Sequence, residues 1–111
     1  MGITKSDLFT TEQNQIAAYT KVLGHPARIA IIEQIIQEGQ CINKSLVKEL
    51  GLSQASISQH LKELKSAGLI QGTIEGQSVH YCLNTRNWAI LEEKMQKIFK
   101  AINNQNIHCK I

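Results

Sequence analysis

Leu46-Val47-Lys48-Glu49-Leu50-Gly51-Leu52-Ser53-Gln54-Ala55-Ser56-Ile57-Ser58-Gln59-His60-Leu61 spells a short helix, a sharp turn and the start of a second helix. Gly51 suits the left-handed residue that ends a helix, and Ser53 is a residue type that caps the next one by accepting a backbone N–H. Asn43 is the expected cap of the first helix, with Leu46, Val47 and Leu50 facing inward. In the second, Ile57, Leu61 and Leu64 recur at helical spacing and form a core stripe. Gly68-Leu69 then supplies a glycine-plus-hydrophobe ending. Residues 44–67 therefore predict a helix-turn-helix. Its second helix, 53–66, is held by one face and presents the other.

That outer face carries Gln54, Ala55, Ser56, Ser58 and Gln59, all short or amide side chains. Glutamine pairs bidentately with adenine, serine bonds either kind of base, and alanine touches a thymine methyl, so these five are the candidate base-reading residues. Ser53 and His60, with Lys62 and Lys65, are candidate phosphate contacts, helped by the free N–H groups of the helix start. An ordinary solvated helix favours Glu and Lys at exposed positions. Here no acid precedes Glu63, which favours a groove-binding role over a plain surface helix.

Outward from this motif, Thr10 and Gln13 have capping-box spacing, followed by Ile16, Tyr19 and Leu23 on one face. His25-Pro26 opens a further helix, with Ile29, Ile32, Ile35 and Ile36 as its expected buried stripe. After Gly68 the period changes to two: Ile70, Gly72 and Ile74, then Val79, Tyr81 and Leu83, around a turn at Glu75-Gly76-Gln77. This β-hairpin, 70–83, is the wing of a winged helix. Gln77, Ser78 and His80 are its candidate contacts to phosphate or minor groove. Asn84 or Thr85 caps a last helix whose apolar residues Trp88, Leu91, Met95, Ile98 and Ile102 keep a coiled-coil-like spacing. Phe99 widens that surface. The spare apolar area of helices 10–24 and 86–102 predicts a homodimer sealed by Ile16, Tyr19, Leu23, Trp88, Leu91, Met95, Ile98, Phe99 and Ile102. Two recognition helices would then stand about one DNA turn, ~34 Å, apart.

The 111 residues suffice for one domain, with tails expected at 1–9 and 104–111. An apolar content of 42% permits a modest core, and a net charge of +3 is only mildly favourable to a polyanion. Cys41, Cys82 and Cys109 are odd in number and far apart, a poor disulfide framework that fits a reducing cytoplasm. Cys82 lies out of phase with Val79 and Tyr81 and is expected on the exposed strand face. Thiol sensing is the competing role for these cysteines. No run is long enough for a membrane span. Neither a nucleophile–base set nor a glycine-rich phosphate loop stands on a recognisable scaffold, so no enzyme is predicted. A protein-binding adaptor is the remaining competitor, separable by the salt dependence that phosphate contacts impose.

The chain also resembles a known family. Leu23-Gly24-His25-Pro26-Ala27-Arg28, the run Leu50 to Leu61, Ala67-Gly68-Leu69-Ile70, and Glu75-Gly76-Gln77 ahead of Tyr81 resemble the arsenic-repressor (ArsR/SmtB) family over residues 10–102. The resemblance implies a mainly α winged helix-turn-helix, ordered as four helices, a two-stranded hairpin and a fifth helix. It also implies a dimeric repressor of double-stranded DNA, released by an inducer. The family's metal chemistry does not carry over. Its Cys-x-Cys positions correspond to Ile42 and Lys44, and the last helix lacks Asp, His and Cys. No metal set and no cofactor are expected, and His108 and Cys109 fall in the tail.

Overall fold

The computed structural model describes residues 5–76 and 78–104. A 3₁₀ turn, Lys5–Leu8, precedes α1 (Thr11–Leu23) and α2 (Pro26–Gln37). There follow β1 (Cys41–Ile42), α3 (Val47–Leu50), α4 (Gln54–Ser66), β2 (Ile70–Thr73), β3 (His80–Leu83) and α5 (Thr85–Asn104). This is the expected winged helix, mainly α with a small antiparallel sheet. Local chemistry sets its joints. Thr10 and Gln13 form the capping box of α1, Pro26 opens α2, and Asn84 accepts the backbone N–H of Asn87 at 3.2 Å to start α5. Gly51, at φ 68°, makes the left-handed stop between α3 and α4. At the end of α4, Leu69 N–H donates to the Leu64 carbonyl and Gly68 N–H to Lys65, the paired bonds of a Schellman ending.

The core gathers Ile31, Ile32 and Ile35 of α2, Leu46, Ile57, Leu61 and Leu64 of the helix-turn-helix, and Leu69, Ile70 and Tyr81 of the wing. Tyr19 and Leu91 bring α1 and α5 to it. Burial pushes the Tyr81 phenol up to about 12, so it stays neutral over the working pH range.

Several expectations are corrected. In α2 the stripe is Ile31, Ile32 and Ile35, while Ile29 and Ile36 are exposed. The isoleucine-rich run permits two overlapping stripes. The observed orientation also lets Arg28 donate from Nε to His60 Nδ1 of α4 at 3.2 Å. Val47 is exposed, at 38%. Asn43 does not cap α3, which starts after Leu46 with no side-chain cap. Instead Ser45 Oγ accepts the Val47 N–H at 3.3 Å. Lys5–Leu8 form a turn where a frayed tail was expected. The tail residues 105–111, with His108 and Cys109, lie outside the described residues.

The sheet also has a strand that the alternation pattern did not predict. Its order is β1-β3-β2, with Cys41 opposite Cys82 and Ile42 opposite Tyr81. Leu83 N–H donates to the Gln40 carbonyl, so the Cys41–Cys82 pair is the close, non-hydrogen-bonded kind. Their Cα atoms are 4.0 Å apart, and the two sulfurs are bonded. Strand pairing thus overrides the expectation that the cysteines lack partners.

Candidate nucleic-acid interface

Ser53 caps α4, its Oγ accepting the Ser56 N–H at 3.2 Å. With Ile57, Leu61 and Leu64 buried, the opposite side of the helix must face solvent. Gln54, Ala55, Gln59 and Lys62 are exposed there, and Ser56 and Ser58 are half-buried at its edges. The amides are preset by local bonds. Gln54 Oε1 accepts from Ser45 Oγ at 3.1 Å, and its Nε2 donates to Ser58 Oγ at 3.3 Å. Gln59 Nε2 donates to Glu63 Oε1 at 3.2 Å. Each bond holds a base-reading type of side chain extended without using all its donors and acceptors.

The wing is tied to this helix by both lysines. Lys65 Nζ donates to the Gly72 carbonyl at 2.6 Å, and Lys62 Nζ pairs with Glu75 Oε1 at 3.0 Å. Hairpin and helix frame a cleft of about 540 Å³ lined by Asn43, Lys44, Gln54, Ser58, Glu75 and Gly76. Ser78 and His80 are exposed on the wing. Gln77 lies outside the described residues.

His60 is placed differently from the other candidate contacts. It is half-buried and turned toward α2, its ring 4.5 Å from that of His25 in an edge-on arrangement. Burial first, then the charges of His25 and Arg28, lower its pKa below the ordinary 6.5. Its Nδ1 accepts from Arg28 Nε, so protonation there breaks the bond. Arg28 also donates to the Val22 carbonyl at 3.1 Å, locking α1, α2 and α4 together. The sign of the pH effect follows. The unfolded chain takes up a proton near the ordinary value while the folded chain resists it. Stability is fully present above pH 6.5 and is lost as pH falls through the lowered pKa of the folded state. Denaturant midpoints measured across that range should fall with acidification, and His60→Gln should flatten the slope. Equal slopes in both proteins would refute the assignment to His60.

Arg28 and Glu75 were not singled out as functional from sequence. Arg28 stands inside the His25-Pro26-Ala27-Arg28 run, but nothing in its spacing pairs it with a residue 32 positions on.

The candidate dimer residues divide into three groups. Tyr19 and Leu91 belong to the protomer's own core. Ile16, Leu23, Trp88 and Met95 are half-buried, and Trp88 Nε1 donates to the Leu69 carbonyl at 2.9 Å. Ile98, Phe99 and Ile102 stand 43%, 50% and 59% exposed along the outer part of α5. Lys94 and Lys97 both reach Glu12, at 3.6 and 3.8 Å, which seats α5 beside α1.

The positions matching the family's metal pair offer no ligands. Ile42 is buried. The Lys44 ammonium bridges Glu49 at 3.1 Å and Glu38 at 3.3 Å. The bond to Glu49, then that to Glu38, raises the Lys44 pKa, while Glu49's is lowered chiefly by Lys44. Lys44, at one of the two positions, thus carries a cation paired to carboxylates in place of a metal ligand. No helix among the described residues is long and apolar enough to cross a membrane.

Comparison with known proteins agrees with this geometry. Residues 25–71 match the family model described as bacterial regulatory protein, arsR family. The HTH-type transcriptional regulator CmtR of Mycobacterium bovis is 32% identical over 82% of this chain and 76% of its own length. The HTH-type transcriptional repressor SmtB of Mycobacterium tuberculosis is 41% identical over 57% of this chain and 46% of its own. An ArsR-like transcriptional regulator from Rhodococcus sp. RHA1 shares the fold, with a TM-score of 0.68 over 85% of this chain and 88% of that one, at 18% identity. The cadmium sensor CmtR of Mycobacterium tuberculosis superposes with a TM-score of 0.52 over 86% and 97%, at 26% identity.

Proposed function

The chain belongs to the ArsR family of bacterial regulatory proteins, transcriptional regulators rather than enzymes, and from that premise we propose that it is a cytoplasmic repressor that binds an inverted-repeat operator as a homodimer. The observation that carries this reading is the exposed edge of α4, where Gln54, Ala55 and Gln59 face solvent and no acidic residue occurs in the helix before Glu63, whose carboxylate accepts from Gln59. A helix of this width fits the major groove. Gln54, Ala55, Ser56, Ser58 and Gln59 read bases. Ser53, Lys62 and Lys65, with Ser78 and His80 of the wing, contact the backbone. His60 acts behind this face by fixing α4 to Arg28. The exposed Ile98, Phe99 and Ile102 support dimerisation through α5, since apolar area of this kind is what a second copy covers. Dimerisation would bring two copies of α4 to successive major grooves.

Selection of bound sequences from random duplex DNA tests the whole reading, with an inverted repeat as the expected result. Gln59→Ala should weaken operator binding by about 1–3 kcal/mol while sparing non-specific DNA. Lys62→Ala should weaken both alike and reduce the salt slope. Titration of both variants against operator and scrambled duplex measures the difference. Wild-type binding by both would place the docking edge elsewhere.

A further inference from the structure

The outer face of the sheet carries two cysteines that DNA binding does not use, beside His80 of the wing. Side chains alternate along β3: Tyr81 and Leu83 go inward, and His80 and Cys82 go outward. Cys41 of β1 stands directly across from Cys82. The donor atoms of Cys41, His80 and Cys82 lie within 4.8 Å of one another. His80 Nε2 is 3.9 Å from Cys82 Sγ. Around a tetrahedral cation with ordinary metal–sulfur and metal–nitrogen bonds, sulfur and nitrogen ligands sit about 3.5–3.8 Å apart. The close, non-hydrogen-bonded strand pair keeps both sulfurs side by side whether or not they are bonded.

We propose that, with its cysteines reduced, the protein holds a thiophilic divalent cation at the base of the wing, through the Cys41 and Cys82 thiolates and the His80 imidazole. Two sulfurs and one nitrogen form a borderline-soft donor set that suits zinc or cadmium and disfavours magnesium or calcium. Solvent completes the fourth position, because His80 is exposed. The two thiolates balance the cation's charge. The disulfide is the closed form of the same site. A phosphine opens it by taking oxygen from water to become the phosphine oxide, while the two sulfurs take the two protons. The cation then displaces those protons from the thiols. The site is separate from Ile42 and Lys44. It shares His80 with the proposed wing contacts, but its two thiolates and its test in the absence of DNA do not rest on that reading.

Cadmium(II) added to the phosphine-reduced full chain tests this without DNA. One equivalent should give a saturating thiolate-to-cadmium absorption band, and the oxidised chain should give none. Cys41→Ser and Cys82→Ser should each roughly halve the band and weaken binding by at least about 100-fold. His80→Ala should weaken it at least about tenfold, and Cys109→Ser should leave it intact. Circular dichroism monitors folding of each variant. Should the cysteine variants fail to fold, wild-type protein supplies the answer through alkylation mapped by mass. Stoichiometric cadmium should shield Cys41 and Cys82 together from iodoacetamide. Absence of the band from reduced wild type, its loss in Cys109→Ser, or unchanged alkylation of Cys41 and Cys82 would overturn the proposal.

Discussion

Gly72→Ala is expected to destabilise the protein by roughly 2–5 kcal/mol, a large share of a small domain's total. Gly72 has φ 118°, a conformation that side chains avoid, and this alone costs about 1–3 kcal/mol. The added Cβ would also overlap the His80 carbonyl oxygen and approach Tyr81 Cα at 2.9 Å. Both are backbone atoms of the paired strand, so no side-chain rotation relieves the clash. The strands must part, and parting them breaks the register that seats Tyr81 in the core. It also moves the carbonyl that holds Lys65. Gly76→Ala is the matched control. Its φ is 92° but nothing lies within 4 Å of the added atom, so only the conformational cost applies. Urea midpoints of the two variants should separate clearly. Equal midpoints would contradict the close approach of β2 and β3.

Reduction of the Cys41–Cys82 bond is expected to be the next largest effect. The bond links residues 41 positions apart. On the chain-entropy account, closing a loop of that length removes up to about 4 kcal/mol of freedom from the unfolded chain. At about 4–8 °C per kcal/mol for a domain of about this size, oxidised protein should melt well above the reduced form. Thermal unfolding with and without a phosphine measures the difference. Cys41→Ser combined with Cys82→Ser should melt near the reduced form and ignore the reductant. Identical melting of oxidised and reduced wild type would show that the strand pairing survives unaided in the unfolded ensemble.

Much of the fold was legible because single residues announce it. Gly51 and Ser53 mark the turn between α3 and α4, and Ile57, Leu61 and Leu64 mark which side of α4 is buried. The change from helical to alternating period after Gly68 marks the wing. The illegible parts rest on pairings between distant segments. Cys41–Ile42 is too short to show an alternation, so β1 emerges only when β3 lies beside it. Ile29 and Ile31 are equally apolar, so composition alone does not distinguish them, and the buried choice emerges only from contacts between α2 and its neighbours. The outer edge of α4 was legible as chemistry. Its organisation was not, because the bonds of Gln54 to Ser45 and of Lys62 to Glu75 reach outside the helix.

The Lys62–Glu75 pair has a further consequence for any duplex lying along α4. Glu75 offers the Lys62 ammonium what a phosphate would offer, an oxygen anion 3.0 Å away. If Lys62 contacts a phosphate as proposed, taking up nucleic acid would trade one anion for another and evict a wing carboxylate toward a polyanion that repels it. Fewer solution ions would then be liberated than the number of lysines suggests, so the fall in salt slope expected for Lys62→Ala is smaller than a free lysine would give. On the proposed reading, the free protein would thereby carry a competitor to weak, indiscriminate encounters, and discrimination would rest with the glutamines beside it.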